Sequence, residues 1–293
     1  MIARFLLIFA ALIGLAACQD EPDSRAAAGP GPAIWEVRGA DGAVEGWLFG
    51  TIHALPDGVA WRTATLAALL DRADTLVVEV AGLEDGDALT RTFSELAFDT
   101  PGPALARRIE PGLQPRYEEL LTSARVSRNQ LDRMESWAAA LSLAQVAQAG
   151  RTENGVDKAL LRDFAGGEVI ELEGAEAQLA IFDGLPETDQ RDLLNAVIEE
   201  SRTAGEEMGR LARSWSTGDL AGLEEVTGSG MLADEELYEA LLARRNRAWA
   251  AQLENLLSAP GRPFVAVGAG HMVGEDGLPR LLEERGFTVR RIQ

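Results

Sequence analysis

Two histidines occur in 293 residues, and each stands three residues after a glycine that follows an apolar run. His53 lies in WLFGTIHALP near the start of the chain, and His271 lies in FVAVGAGHMVG near its end. A Gly-x-x-His after each of two strands reads as one site assembled from both ends of the chain. Two further apolar runs end in carboxylates, TLVVE at Glu79 and EVIELE at Glu173. Where strands of an α/β sheet run parallel, ligands bind outside their carboxyl ends. That arrangement would bring both imidazoles and both glutamates to one edge. Two neutral imidazoles and a carboxylate suit a divalent cation with one position left open, and manganese, cobalt and zinc all accept such nitrogen and oxygen ligands. A water bound there becomes a nucleophile near neutral pH, and a second carboxylate can take its proton as general base. The expected metal set is therefore His53, His271 and Glu79, with Glu79 and Glu173 as the catalytic carboxylates. The spacing is not His-Glu-x-x-His, so the ligands would come from distant segments.

Each of these residues also has a purely structural reading. Either histidine could cap or line a turn, and Glu79 could close a buried strand against an arginine. Glu171 shares a face with Glu173 and competes for its role. Asp57 and Asp276 read as turn residues, and the six tryptophans as core. The run GAGHMVG is Gly-x-Gly-x-x-x-Gly, one residue off the dinucleotide fingerprint, and only one helix and one strand follow it. There is no Gly-x-Ser-x-Gly elbow, and the single cysteine, Cys18, offers no nucleophile within the folded domain.

The elements that must position these residues alternate. AIWEVRG and EGWLFGTI read as two strands joined across GADGA, where Asp41-Gly42 is a hairpin signal. WRTATLAALLDRAD has helical spacing at Leu66, Leu69 and Leu70, and TLVVEV (75–80) is a buried strand. A helical stretch over 88–164 is broken at TPGPA and EPGLQP. GEVIELEG (167–174) is a strand, AEAQLAIFDGL a helix, and helices are expected over 187–213 and 234–257. RPFVAVGAG, GLPRLLEERG and FTVRRI close the chain as strand, helix and strand. Strands and helices alternate at both ends around a helical middle. The pattern predicts an α/β fold, with a central mixed or mostly parallel sheet wrapped by helices and carrying a helical insertion.

At the N-terminus, the apolar run from Phe5 to Ala17 follows a single arginine, Arg4. It is short for a membrane span and fits a signal peptide. Leu15-Ala16-Ala17-Cys18 resembles the bacterial lipobox, in which the chain is cut before the cysteine and the cysteine carries a lipid. The expected division is a signal peptide over 1–17, a flexible tether over 18–32, and one α/β domain over 33–293. The lipid on Cys18 would anchor the chain to a membrane of the cell envelope, and Gln19-Asp20 points to the outer membrane facing the periplasm. The formal net charge is −20. An acidic surface repels phosphate backbones, which excludes nucleic acid as an expected partner.

LFGTIHALP and FVAVGAGHMVGEDGL together resemble the paired Gly-x-x-His signatures of the TraB/GumN family, which includes the Tiki metalloproteases. WRTATLAALLDRADTLVVEV resembles the segment after the family's first histidine. ENGVDKALLRDFAGGEVIELEGAEAQLAIFDGL resembles its middle, and RRNRAWA a helical motif before its second histidine. The resemblance spans about 34–293. It implies a sheet wrapped in helices like that of the erythromycin esterase and ChaN haem-binding group, and a metal-dependent hydrolase or peptidase acting on a peptide or small molecule. It carries the metal-site histidines onto His53 and His271, and the acidic strand residue onto Glu79. Glu173 and Gln178 match the family's Leu-Glu…Gln segment. Arg245 and Asn246 match an Arg-Asn pair that either faces a substrate cleft or caps and pairs within the protein. The ChaN relationship implies one alternative, a haem- or ligand-binding lipoprotein without turnover.

Overall fold

The computed structural model describes residues 31–83, 85–98, 102–124 and 126–293. The expected signal peptide, Cys18 and most of the expected tether lie outside the described residues. Gly31 and Pro32, at the end of that tether, are buried. Pro32 is held there by its carbonyl, which accepts from Gln293 Nε2 at 2.8 Å.

Six strands form one sheet: β1 (Ile34–Arg38), β2 (Val44–Thr51), β3 (Thr75–Val78), β4 (Glu168–Glu171), β5 (Pro263–Gly268) and β6 (Thr288–Arg291). Their spatial order is β4-β3-β5-β2-β1-β6. β4, β3, β5 and β2 run parallel, while β1 pairs antiparallel with both β2 and β6. The sheet is thus mixed, with a parallel half that contains every strand leading to a candidate site residue. β1 and β2 form the expected hairpin, with Gly42 at φ 81° in its turn.

One helix, α1 (Ala64–Leu70), links β2 to β3. Between β3 and β4 run α2 (Gly86–Leu96), α3 (Gln114–Ala124), α4 (Arg128–Leu131), α5 (Ser136–Ala147) and α6 (Val156–Asp163). Between β4 and β5 run α7 (Ala175–Asp183), α8 (Glu187–Glu200), α9 (Ala204–Ser216), α10 (Leu220–Thr227), α11 (Glu235–Tyr238) and α12 (Arg244–Ser258). A π-helical turn, Glu239–Ala243, joins α11 to α12. The last connection is α13 (Leu278–Glu284). No helix among the described residues is long and apolar enough to cross a membrane.

Alternation along the strands sends side chains to two cores. Trp47, Phe49, Leu76, Val78, Phe264 and Ala266 join the larger cluster on one face, with α5 and α8 among its helices. Leu48, Val77, Val265 and Val267 join the smaller cluster on the other face, under α12 and α13. Burial on both faces explains why these strands read as near-continuous apolar runs rather than alternating ones.

Two expectations needed correction. The helix expected over 187–213 is two helices, broken at Ser201–Thr203, and α10 follows where no element was expected. No proline lies at that break; Thr203-x-x-Glu206 has the spacing of a capping box, although Thr203 makes no side-chain cap bond.

Candidate functional site

Parallel pairing sets β2 beside β5 with Gly50 opposite Val267 and Thr51 opposite Gly268. The two Gly-x-x-His segments therefore leave the sheet side by side. A Cβ at Gly50 would stand 2.9 Å from the Ala269 Cα, so the first glycine lets the two segments touch backbone to backbone. β3 lies on the other side of β5 and β4 beyond it. The chain after β3 places Glu79, and the chain after β4 places Glu173. All four sequence-predicted polar residues thus gather at the carboxyl edge of the parallel strands.

Glu79 is 6% exposed and fully engaged. Its Oε1 accepts from the Gly268 N–H at 2.7 Å. Its Oε2 accepts from Gln178 Nε2 at 2.9 Å and from an Arg245 NH2 at 2.7 Å. Burial works against its charge, but the Arg245 guanidinium leads the opposing interactions and holds the carboxyl down at about 2. Arg245 also grips Glu173 through Nε and NH2, at 3.0 and 2.9 Å. Its NH1 donates to the Leu241 carbonyl at 2.9 Å and lies 3.3 Å from His271 Nε2. Its guanidinium also lies 4.6 Å from the centre of the Trp249 ring. Arg245 both lines a cleft and pairs within the protein, while Asn246 is fully buried. The Glu171 carboxylate, by contrast, accepts from the Ala81 N–H.

The two imidazoles are set by their Nδ1 atoms. Asn246 Nδ2 donates to the Asp276 carbonyl at 2.7 Å, which turns its Oδ1 toward His271 Nδ1 at 2.5 Å. An amide oxygen only accepts, so Nδ1 carries the proton and Nε2 keeps its lone pair. Burial, then the charge of Arg245, push the His271 pKa down to about 3, so this ring is neutral. His53 Nδ1 meets Asp157 Oδ2 at 2.7 Å, and Thr51 Oγ1 donates to the other oxygen of that carboxylate at 2.5 Å. Burial again favours the neutral ring, but Asp157, by charge and hydrogen bond, outweighs it with help from Glu79. The His53 pKa is pushed up to about 9.

Gly268 sits between these groups. A Cβ there would lie 3.2 Å from Glu79 Oε1, 3.5 Å from His271 Cδ2 and 3.7 Å from His53 Nε2. The missing side chain leaves a hollow ringed by both imidazoles and the carboxylate. The adjoining cavity, bounded by Thr51, His53 and Gly268–Gly270, measures about 20 Å³. That is room for one water.

Sequence reasoning missed Asp157, Thr51 and Trp249. Asp157 lies in the first turn of α6, where an acid reads as a complement to the helix dipole. Only its burial and its distant partner show another task. The start of α6 is docked on the first motif by a hydrogen bond from Val156 N–H to the Ile52 carbonyl at 2.9 Å. Trp249 packs on His271 with ring centres 4.5 Å apart. Asp57 and Asp276 sit in loops, as expected. Asp57 accepts from Asn154, and Asp276 from Tyr238 and, through its carbonyl, from Asn246.

The sequence profile of the TraB/PrgY/gumN family matches residues 33–291. YbaP of Escherichia coli (strain K12), an uncharacterized protein, is 30% identical over 243 residues, covering 80% of this chain and 86% of its own. YbaP of Shigella flexneri matches to the same extent. No solved structure matches the chain.

Proposed function

The chain belongs to the TraB/PrgY/gumN family, and from the geometry of its site we propose a metal-dependent hydrolase whose substrate class includes peptides. One observation carries the reading. Both imidazoles have Nδ1 tied to an oxygen, while His53 Nε2, the His271 ring and Glu79 Oε1 surround the hollow at Gly268. Histidines that hold metals are oriented in this way by a bond at the opposite ring nitrogen. His53, His271 and Glu79 would hold the ion, and the nitrogen and oxygen donor set suits manganese, cobalt or zinc. A divalent ion there would lower the pKa of a bound water and polarise a carbonyl.

Among the described residues, no three His, Cys, Asp or Glu side chains stand close enough together to hold an ion in the arrangement seen. The Arg245 guanidinium lies against Glu79 and His271 instead. Loading therefore requires that Arg245 release Glu79 and that His53 lose its proton. Asp157 and Asn246 would keep the two rings oriented. Glu173, with its side chain 12% exposed, would take the proton of an attacking water. Arg245 would steady negative charge growing on a carbonyl oxygen.

A haem-binding role draws less support. The cavity at His53 is far smaller than a macrocycle, and neither histidine lines the larger cleft beside Arg245. We further propose a lipid-anchored protein of the cell envelope, on the lipobox-like Cys18.

The test is elemental analysis and calorimetry on the purified protein beside its His53→Ala/His271→Ala variant, followed by turnover of a peptide and ester library. Near-stoichiometric metal and turnover, both lost in the variant, is the expected result. Metal bound no more tightly by the native protein than by the variant would overturn the metal reading.

A further inference from the structure

The Arg245 side chain is 3% exposed, and its guanidinium divides between two carboxylates. NH2 donates to Glu79 Oε2 at 2.7 Å and to Glu173 Oε2 at 2.9 Å, while Nε donates to Glu173 at 3.0 Å. NH1 donates to the Leu241 carbonyl and faces His271 Nε2 at 3.3 Å. With the ring proton on Nδ1, Nε2 has a single lone pair to offer. It can accept from NH1 or bind an ion, and it cannot do both. Glu79 is contested in the same way, because the carboxylate that would hold an ion is the one Arg245 already neutralises. A guanidinium and a divalent ion at adjoining buried positions also repel each other. Arg245, as it lies, and an ion at His271 and Glu79 therefore exclude one another.

The fold offers the guanidinium a second position. Arg245 and Glu173 both line a cleft of about 1010 Å³ between the α7–α8 junction and the start of α12. Ala180, Gly184 and Ala248 line it too, and such small side chains leave room for a guanidinium. Glu173 accepts from Nε, the nitrogen nearest the stem. A turn of the outer fork toward the cleft would break the bonds to Glu79 and Leu241 and the contact with His271, while the Nε bond persists. Glu79 would not be left loose. Its Oε1 would keep the Gly268 N–H and its Oε2 would keep Gln178, so the carboxylate stays aimed at the hollow.

Resting on the metal-dependent reading of the same site, we propose that Arg245 is its gate. The guanidinium holds Glu79 and His271 as an internal cation, and a divalent ion enters by displacing it into the cleft, where Glu173 retains it. The site then has two states, arginine-closed and metal-loaded. The measured metal affinity is that of the open site reduced by the fraction of molecules in which Arg245 has moved. Displacement also frees the fork from Glu79 to meet a substrate carbonyl, so the site is assembled for reaction only when loaded.

The experiment is calorimetric titration of the purified protein with manganese and with zinc, beside Arg245→Ala, Arg245→Lys and His53→Ala/His271→Ala. Arg245→Ala should bind metal about tenfold more tightly than the native protein, or better. Added methylguanidinium, which refills the space the side chain left, should return that affinity toward the native value and leave the native protein unchanged. Arg245→Lys keeps the charge but cannot fork between two carboxylates, so its affinity should fall between the two. It carries the test if the alanine variant, with Glu79 deprived of its cation, does not fold. A crystal structure of the manganese-loaded protein should show Arg245 on Glu173 and off Glu79. Affinities in the Arg245 variants no higher than native would overturn the gate, as would an ion seated while Arg245 still holds Glu79. Metal bound by the native protein no more tightly than by His53→Ala/His271→Ala would remove the metal reading and the gate together. Metal lost in that variant but indifferent to Arg245 would remove the gate alone.

Discussion

At His53 the Asp157 carboxylate outweighs burial and holds the ring protonated up to about pH 9, while at His271 burial and Arg245 keep the ring neutral down to about pH 3. These are the chain's two histidines, so ring NMR resolves them without ambiguity. One ring should titrate near 9 and the other should stay neutral throughout the folded range. Asp157→Asn keeps the shape but removes the charge, and burial then dominates. The His53 titration should fall to 6.5 or below; a titration that stays near 9 would remove Asp157 as its source. If the metal reading holds, the same variant should lose about 10–100-fold in metal affinity by calorimetry, the usual effect of removing an orienting partner. Metal uptake by the native protein should release a proton from His53 and tighten as pH rises toward 9. Gly268→Ala tests the hollow itself. Gly268 has φ −48°, which alanine tolerates, and its N–H to Glu79 survives. The new methyl crowds Glu79 Oε1 and narrows the space shared with both rings. Calorimetry should show metal binding lost, while thermal unfolding shifts by only a few degrees.

At the scale of elements, the site depends on β2 and β5 lying in register so that the two motifs touch. Gly50→Ala puts a Cβ 2.9 Å from the Ala269 Cα, a backbone atom that cannot turn aside. The strand ends must part, at a cost of about 1–3 kcal/mol, readable as a lower urea midpoint. Both histidine titrations should move with it. A stability loss without any change in either titration would show that the motifs do not depend on this contact. The strands were legible because each is a short apolar run bounded by turn residues, and parallel strands buried on both faces keep that pattern. His53, Glu79, Glu173 and His271 were legible because a polar residue at the end of such a run stands out. Asp157 was not, because in sequence it resembles any acid in a first helical turn. The hairpin of β1 with β2 was legible from Asp41-Gly42, but the antiparallel pairing of β1 with β6 was not. That pairing is settled by contacts between the two ends of the chain, and neither IWEVR nor TVRR carries a mark of the other. The π-helical turn escaped for a similar reason, since EALLA is an ordinary helical sequence and its widening shows only in the backbone bond from the Arg244 N–H to the Glu239 carbonyl.

For the whole molecule, the same buried groups fix how stability depends on pH, because a shifted pKa is a difference between folded and unfolded chains. His53 binds its proton more tightly when folded, about 9 against 6.5. Its contribution is complete below 6.5 and is lost as pH rises through 9; at full strength it is on the order of 3 kcal/mol. His271 runs the other way, about 3 against 6.5. The unfolded chain takes up its proton first, so stability present above 6.5 drains away as pH falls. Glu79, about 2 against 4.5, adds a second loss that begins below about pH 4.5. Stability should therefore be highest near pH 6–7 and fall on both sides, even though the chain carries a formal charge of −20 at pH 7 and general self-repulsion alone would be relieved by acid. Urea unfolding from pH 4 to 10 would read the dome directly. Replacing His53 with Gln should flatten the alkaline side and leave the acid side in place. An alkaline limb unchanged in that variant would mean that the His53–Asp157 pair does not set it. Because His53 and His271 come from opposite ends of the chain, both limbs should appear in one cooperative transition.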